Sequence, residues 1–151
     1  MNVGLRHIGF VLLLASTAFA AAPEKSAKWL DDFAAAKTEA KKAGRPILID
    51  FTGSDWCPWC IKFDEDILST GKFAAYAESK LVLVLADFPN HTAQSTALKQ
   101  SNQELAAKFQ ANGYPTFVLL NSSGTEIGRQ VGYLRGGPDA FITELEKFSQ
   151  K

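Results

Sequence analysis

Three apolar runs of strand length divide the chain, and the segments between them repeat apolar residues at helical intervals. Residues 46–52 read Pro-Ile-Leu-Ile-Asp-Phe-Thr, residues 81–87 read Leu-Val-Leu-Val-Leu-Ala-Asp, and residues 117–120 read Phe-Val-Leu-Leu. Runs this continuous predict strands buried on both faces. A turn at Asn121-Ser122-Ser123-Gly124 leads to a further strand around residues 126–133, so this pair is expected to form an antiparallel hairpin. From 27 to 43, Trp29, Phe33, Ala36 and Ala40 form a stripe that predicts a first helix, with Gly44 as its stop and Pro46 beyond. Cys60, Phe63 and Ile67 predict a second helix over about 57–68, broken by Ser69-Thr70-Gly71. One or two further turns are expected around residues 73–77, and 88–99 reads as polar and irregular. Ser101-Asn102-Gln103-Glu104 is a capping-box pattern, which predicts a helix that carries Leu105 and Phe109 and ends at Gly113. Gly136-Gly137-Pro138 opens a last helix with Phe141, Leu145 and Phe148 on its face. The order α-β-α-(α)-β-α-β-β-α implies an α/β fold: a mixed, roughly four-stranded sheet with helices on both faces.

Composition narrows the class. The 151 residues include 46% hydrophobic and 21% charged ones, an ordinary globular balance with enough chain for one domain and a real core. Formal net charge is zero and the basic residues are not grouped, so neither nucleic acid nor an anionic membrane is an expected partner. Residues 1–20 stand apart. Arg6 and His7 precede an apolar run at 8–15, and Ala18-Phe19-Ala20 offers small residues at a cleavage position. This pattern predicts a signal peptide cut after Ala20, followed by a short lead at 21–27. The run is short for a bilayer span, so no stable membrane insertion is expected after cleavage. The mature chain would carry 15 basic and 16 acidic residues, a net charge of −1. Periplasmic or extracellular placement follows.

The chemistry centres on Trp56-Cys57-Pro58-Trp59-Cys60, which holds both cysteines of the chain. They fall where a buried strand turns into a helix. Backbone N–H groups of a first helical turn have no partner within the helix, and the peptide dipoles add positive charge there. Both effects favour a thiolate at Cys57, while Cys60 is expected to sit deeper. A structural staple is the poorer account, because so short a loop constrains the unfolded chain little. A zinc site needs about four ligands, and His91 is the only other soft ligand after the leader. Haem attachment needs a histidine where Ile61 stands. No metal or cofactor is therefore expected beyond a redox-active Cys57–Cys60 pair. Export strengthens this reading, since a solitary close pair outside the cytosol suggests a working thiol.

Residues 47–51, Trp56-Cys57-x-x-Cys60, Tyr114-Pro115-Thr116 before a strand and Gly132 before the last helix together resemble the thioredoxin superfamily, over about residues 28–149. The stretch 51–57 is more similar to exported thioredoxin-like domains than to cytosolic thioredoxin. The resemblance implies a cis bond before Pro115, a substrate groove shaped by Pro115 with the Tyr114 backbone pairing an extended substrate, and Trp56 flanking the first cysteine. It also implies that Asp50 is a buried acid assisting proton transfer at Cys60. One extra residue separates Asp50 from the cysteines, leaving open a strand-end position facing solvent. Pro58-Trp59 replaces the Gly-Pro of typical thioredoxins, which bears on redox poise. The loop at 88–99 is longer than in thioredoxin, and His91 within it either approaches the thiols or faces solvent.

The expected activity is that of an exported thiol–disulfide oxidoreductase, acting on protein thiols and disulfides and drawing electrons from a partner redox protein. Reductase direction is preferred from the resemblance alone. Two alternatives stand beside it: a peptide-binding or chaperone module on the same fold, and a dedicated reductant of apocytochrome thiols.

Overall fold

The computed structural model describes residues 26–150; the expected signal peptide and most of the lead at 21–27 lie outside the described residues. Five strands form one sheet in the order β1-β3-β2-β4-β5. They are β1 (Trp29–Leu30), β2 (Ile47–Thr52), β3 (Val82–Asp87), β4 (Thr116–Leu120) and β5 (Glu126–Val131). β2 lies at the centre, parallel to β3 and antiparallel to β4, so that Ile49 stands between Val84 and Val118. All six residues of β2 are buried, the polar Asp50 and Thr52 together with the four apolar ones.

Side chains alternate across a strand, and that alternation assigns the helices to two layers. Ile47, Ile49 and Phe51 share one core with Ala36 and Ala40 of α1 (Phe33–Ala43) and with Leu105 and Phe109 of α4 (Thr96–Phe109). Leu48 points the other way. It joins Phe63 of α2 (Pro58–Phe63), Phe73 of α3 (Gly71–Lys80) and Phe141 and Leu145 of α5 (Gly137–Ser149). The second core is ring-rich: Phe141 lies 5.0 Å from Phe63, 5.9 Å from Phe73 and 5.0 Å from Phe117.

Several expectations are corrected. The mixed sheet of roughly four strands stands and gains a two-residue edge strand, because Trp29 and Leu30 pair with Leu83 and Val84 instead of opening α1. α1 begins only at Phe33, where the Asp32 carboxylate accepts the N–H groups of Ala34 and Ala35 at 2.8 and 3.0 Å. Its expected stop stands, with Gly44 left-handed at φ 65°. The expected break after Leu68 stands at Ser69 and Thr70; Gly71 already begins α3, because the Thr70 hydroxyl caps Phe73 N–H at 3.2 Å, and α3 runs to ten residues. α4 starts at Thr96, five residues before the predicted box, capped by Ser95 Oγ on Leu98 N–H at 3.2 Å. Within the supposed box, Asn102 is buried and donates to the Asp87 carbonyl at 2.9 Å, so its polarity serves a tertiary contact. α4 ends at Phe109 on a left-handed Gln110 (φ 52°), short of Gly113.

Candidate active site

β2 delivers the chain to a tight turn. Trp56 and Cys57 both donate their N–H groups to the Gly53 carbonyl, at 3.3 and 2.9 Å. Cys57 then occupies the N-cap of α2 in an extended conformation, and Pro58 follows, where its missing donor costs nothing. Cys57 and Cys60 form a disulfide with their Cα atoms 5.2 Å apart. Cys57 Sγ also accepts the Cys60 N–H at 3.3 Å, so sulfur stands where a capping oxygen usually does. The depth difference expected between the two is small in this oxidised pair: Cys57 is 5% exposed and Cys60 3%.

The helix does not continue regularly. Residues Asp64–Leu68 form a π-helical turn, with Asp64 N–H shared between the carbonyls of Cys60 and Ile61. Such turns insert a residue and re-aim the side chains that follow. Here Asp66 accepts the Tyr133 hydroxyl at 2.5 Å and pairs with Lys62 Nζ at 2.8 Å. Lys62 holds the Asp66 carboxyl below its ordinary range, with the Tyr133 hydroxyl adding to the effect.

Asp50 is the fourth residue of β2, on the same face as Leu48 and paired across the sheet with Phe117. It is 4% exposed, which answers the solvent-facing alternative. Its Oδ1 is buried with no hydrogen-bond partner. Burial pushes its pKa well above the ordinary 3.8, and the nearby carboxylates of Asp64 and Asp87 push the same way. Asp64 lies one turn beyond Cys60.

The opposite flank is held by the loop after β3. Trp56 donates its indole N–H to the Phe88 carbonyl at 2.7 Å and meets Tyr114 edge-on at 5.9 Å. The Tyr114–Pro115 peptide is cis, and the Pro115 carbonyl accepts Gly132 N–H at 2.8 Å. Asp55 accepts the N–H groups of Asn90, His91 and Thr92 at 2.8, 2.8 and 2.7 Å. Those bonds, Asn90 foremost, bring its carboxyl down to about 2. His91 is thus tied by its backbone, and its side chain is exposed. No group of three or more metal-ligating side chains occurs among the described residues.

This geometry can be set beside known proteins. The thioredoxin-like domain model matches residues 33–149. The chain belongs to the thioredoxin-like family. Among thioredoxin-like relatives, the disulfide bond reductase DsbH of Chlamydia pneumoniae is 35% identical over 116 residues, covering 77% of this chain and 69% of that protein. The thioredoxin-related protein DsbJ of the same organism is 33% identical over 67% of this chain but only 29% of its own length. The solved structure of a DsbH oxidoreductase superposes with a TM-score of 0.78 at 32% identity, covering 94% of this chain and 95% of that one. Family, relatives and the disulfide together support thiol–disulfide oxidoreductase activity of the Dsb type.

The thioredoxin-like frame brings Trp56 and the Tyr114–Pro115 bond together on one flank of the cysteine pair, and buries Asp50 under the helices. Sequence reasoning missed Asp55, Asp66 and Tyr133, whose partners lie up to 67 residues away. Only the glycines at 132, 136 and 137 hinted that residues 133–135 belong to a shaped loop, and all three have positive φ.

Proposed function

We propose that the protein is an exported thiol–disulfide oxidoreductase that reduces protein disulfides through Cys57 and Cys60. The observation that carries the reading is the Cys57–Cys60 disulfide at a helix N-cap, with Cys57 Sγ already accepting a backbone N–H. In the dithiol form the same N–H and the helix dipole favour Cys57 as thiolate. That thiolate attacks one sulfur of a substrate disulfide, whose other sulfur leaves as a thiolate and takes a proton from solvent. A Cys57–substrate mixed disulfide results. Cys60 gives its proton to Asp50 and attacks Cys57 Sγ, closing the Cys57–Cys60 bond and expelling the second substrate sulfur as a thiolate, which takes a proton from solvent. Two electrons have passed to the substrate. A dithiol partner protein then restores the pair by the reverse exchange.

Trp56, Tyr114 and Pro115 would hold the substrate backbone and its flanking side chains. The name of the relative DsbH supports the reductase direction, and the charged-apolar-small pattern of residues 1–20 supports export with cleavage after Ala20. Reduction of insulin disulfides tests the mechanism. Cys57→Ser is expected to abolish turnover, and Cys60→Ser to accumulate mixed disulfides; turnover retained by the Cys57 variant would overturn the proposal. Equilibration with glutathione tests direction, a strongly reducing pair supporting a reductase. The exposed rings of Trp56 and Trp59, 39% and 56% accessible, favour peptide holding as a second reading. Suppression of aggregation by a variant lacking both cysteines would support it.

A further inference from the structure

A groove of about 670 Å³ opens beside the cysteine pair, with walls from three parts of the chain. α2 contributes Trp59 and Lys62, the segment before the cis bond contributes Tyr114, and the β5–α5 loop contributes Tyr133 and Arg135. Trp59 lies between the two cysteines in sequence, and Tyr114 immediately precedes Pro115, so the opening adjoins the turn that carries the pair. Its aromatic walls are ordered. Trp59 lies 5.5 Å from Tyr133, which is held in turn by its bond to Asp66.

The charge of the groove has one sign. No carboxylate lines it, whereas Lys62 and Arg135 do. Lys62 is neutralised by Asp66 at 2.8 Å. No ion pair among the described residues engages the exposed Arg135. An available guanidinium beside two aromatic rings suits a carboxylate on a polypeptide, because its planar fork can bind both oxygens. We infer that this groove selects substrate segments with an acidic side chain near the reacting cysteine, with Arg135 receiving the carboxylate and Trp59 and Tyr133 covering the neighbouring apolar atoms. The inference rests on the thiol–disulfide exchange proposed above and names its substrate class.

Symmetric disulfide-linked peptide dimers test it, with Glu, Gln or Lys two and three residues to either side of the cysteine. Their reduction by the reduced protein is timed by tryptophan fluorescence, and each rate is divided by that with dithiothreitol to remove intrinsic thiol reactivity. At low salt the Glu peptide is expected to react about fivefold faster than the Lys peptide, and the gap to shrink at high salt. R135E is expected to invert the order, and R135Q to erase it. Equal normalised rates with the unaltered protein, or an order unchanged in both variants, would sink the groove inference while leaving the oxidoreductase reading intact. Failure of the unaltered protein to reduce any of the three peptides would remove that reading, and the groove inference with it.

Discussion

The indole of Trp56 lies directly on the Cα of Gly53. A methyl group built at position 53 would stand 2.5 Å from Trp56 Cε2 and 2.6 Å from Nε1. The same glycine supplies the carbonyl that holds the Trp56 and Cys57 N–H groups. The Trp56 ring and the turn that presents Cys57 are therefore one unit.

Gly53→Ala must displace the indole or the backbone. Either movement breaks the bond from Trp56 Nε1 to the Phe88 carbonyl. Overpacking of this kind costs about 1–3 kcal/mol. Chemical denaturation is expected to show a lower midpoint, and tryptophan emission to shift red as the ring becomes wetter. An unchanged midpoint and spectrum would mean that position 53 has more room than the geometry allows.

Asp50→Asn separates proton transfer from burial. Burial raises the Asp50 pKa above its ordinary 3.8. As pH climbs past 3.8, the unfolded chain releases this proton while the folded chain retains it, so the wild type loses relative stability up to the folded pKa. The asparagine variant lacks that loss. It is expected to be the more stable protein at neutral pH, with the difference closing towards pH 3.8. Resolution of a mixed disulfide by Cys60 is expected to slow about tenfold or more, if Asp50 is the base there. Equal resolution rates across the pH range would remove Asp50 from the mechanism.

The Asp55 clamp makes the opposite pH prediction. Its carboxyl is held at about 2 by the N–H groups of residues 90–92. Its contribution is complete above the ordinary 3.8 and fades as pH falls towards 2. Amide protection factors at Asn90, His91 and Thr92 are expected to drop within that window in the wild type. In Asp55→Asn they should be low already at neutral pH and flat across it. Protection that is indifferent to both changes would show that the loop is held by something else.

Phe141→Ala tests the ring-rich core behind the cysteine-bearing helix. Phe141 is fully buried among Phe63, Phe73 and Phe117. Removing its ring is expected to cost about 3–5 kcal/mol, read by thermal or chemical unfolding. Because Phe63 ends α2, some of that loss should reach the cysteine-bearing turn as faster amide exchange at Cys60 and Ile61.

Legibility in the sequence followed the range of the interactions. β2 and β3 could be read directly, because a strand buried on both faces needs a nearly continuous apolar run; Val82–Ala86 supplies one, and Ile47–Phe51 does so but for Asp50. Gly44 could be read as a stop, because a left-handed residue is a local demand. The start of α4 could not. Ser95 and Ser101 offer equivalent hydroxyls; Ser95 is the one that caps, and Asn102 inside the helix reaches the distant Asp87 carbonyl. β1 failed for a similar reason: the helical stripe of Trp29 and Phe33 was overruled by the open edge of β3.

Taken alone, the residue order determined a Cys-x-x-Cys pair at a strand-to-helix junction and the strand and helix runs around it, since spacing and periodicity act over a few residues. Tertiary structure decided how deeply Asp50 is sunk beneath the helices, which backbone Asp55 captures, and how Tyr133 and Arg135 come to face Trp59. Those outcomes depend on burial and on contacts between distant segments, and neither is written in any short stretch of the chain.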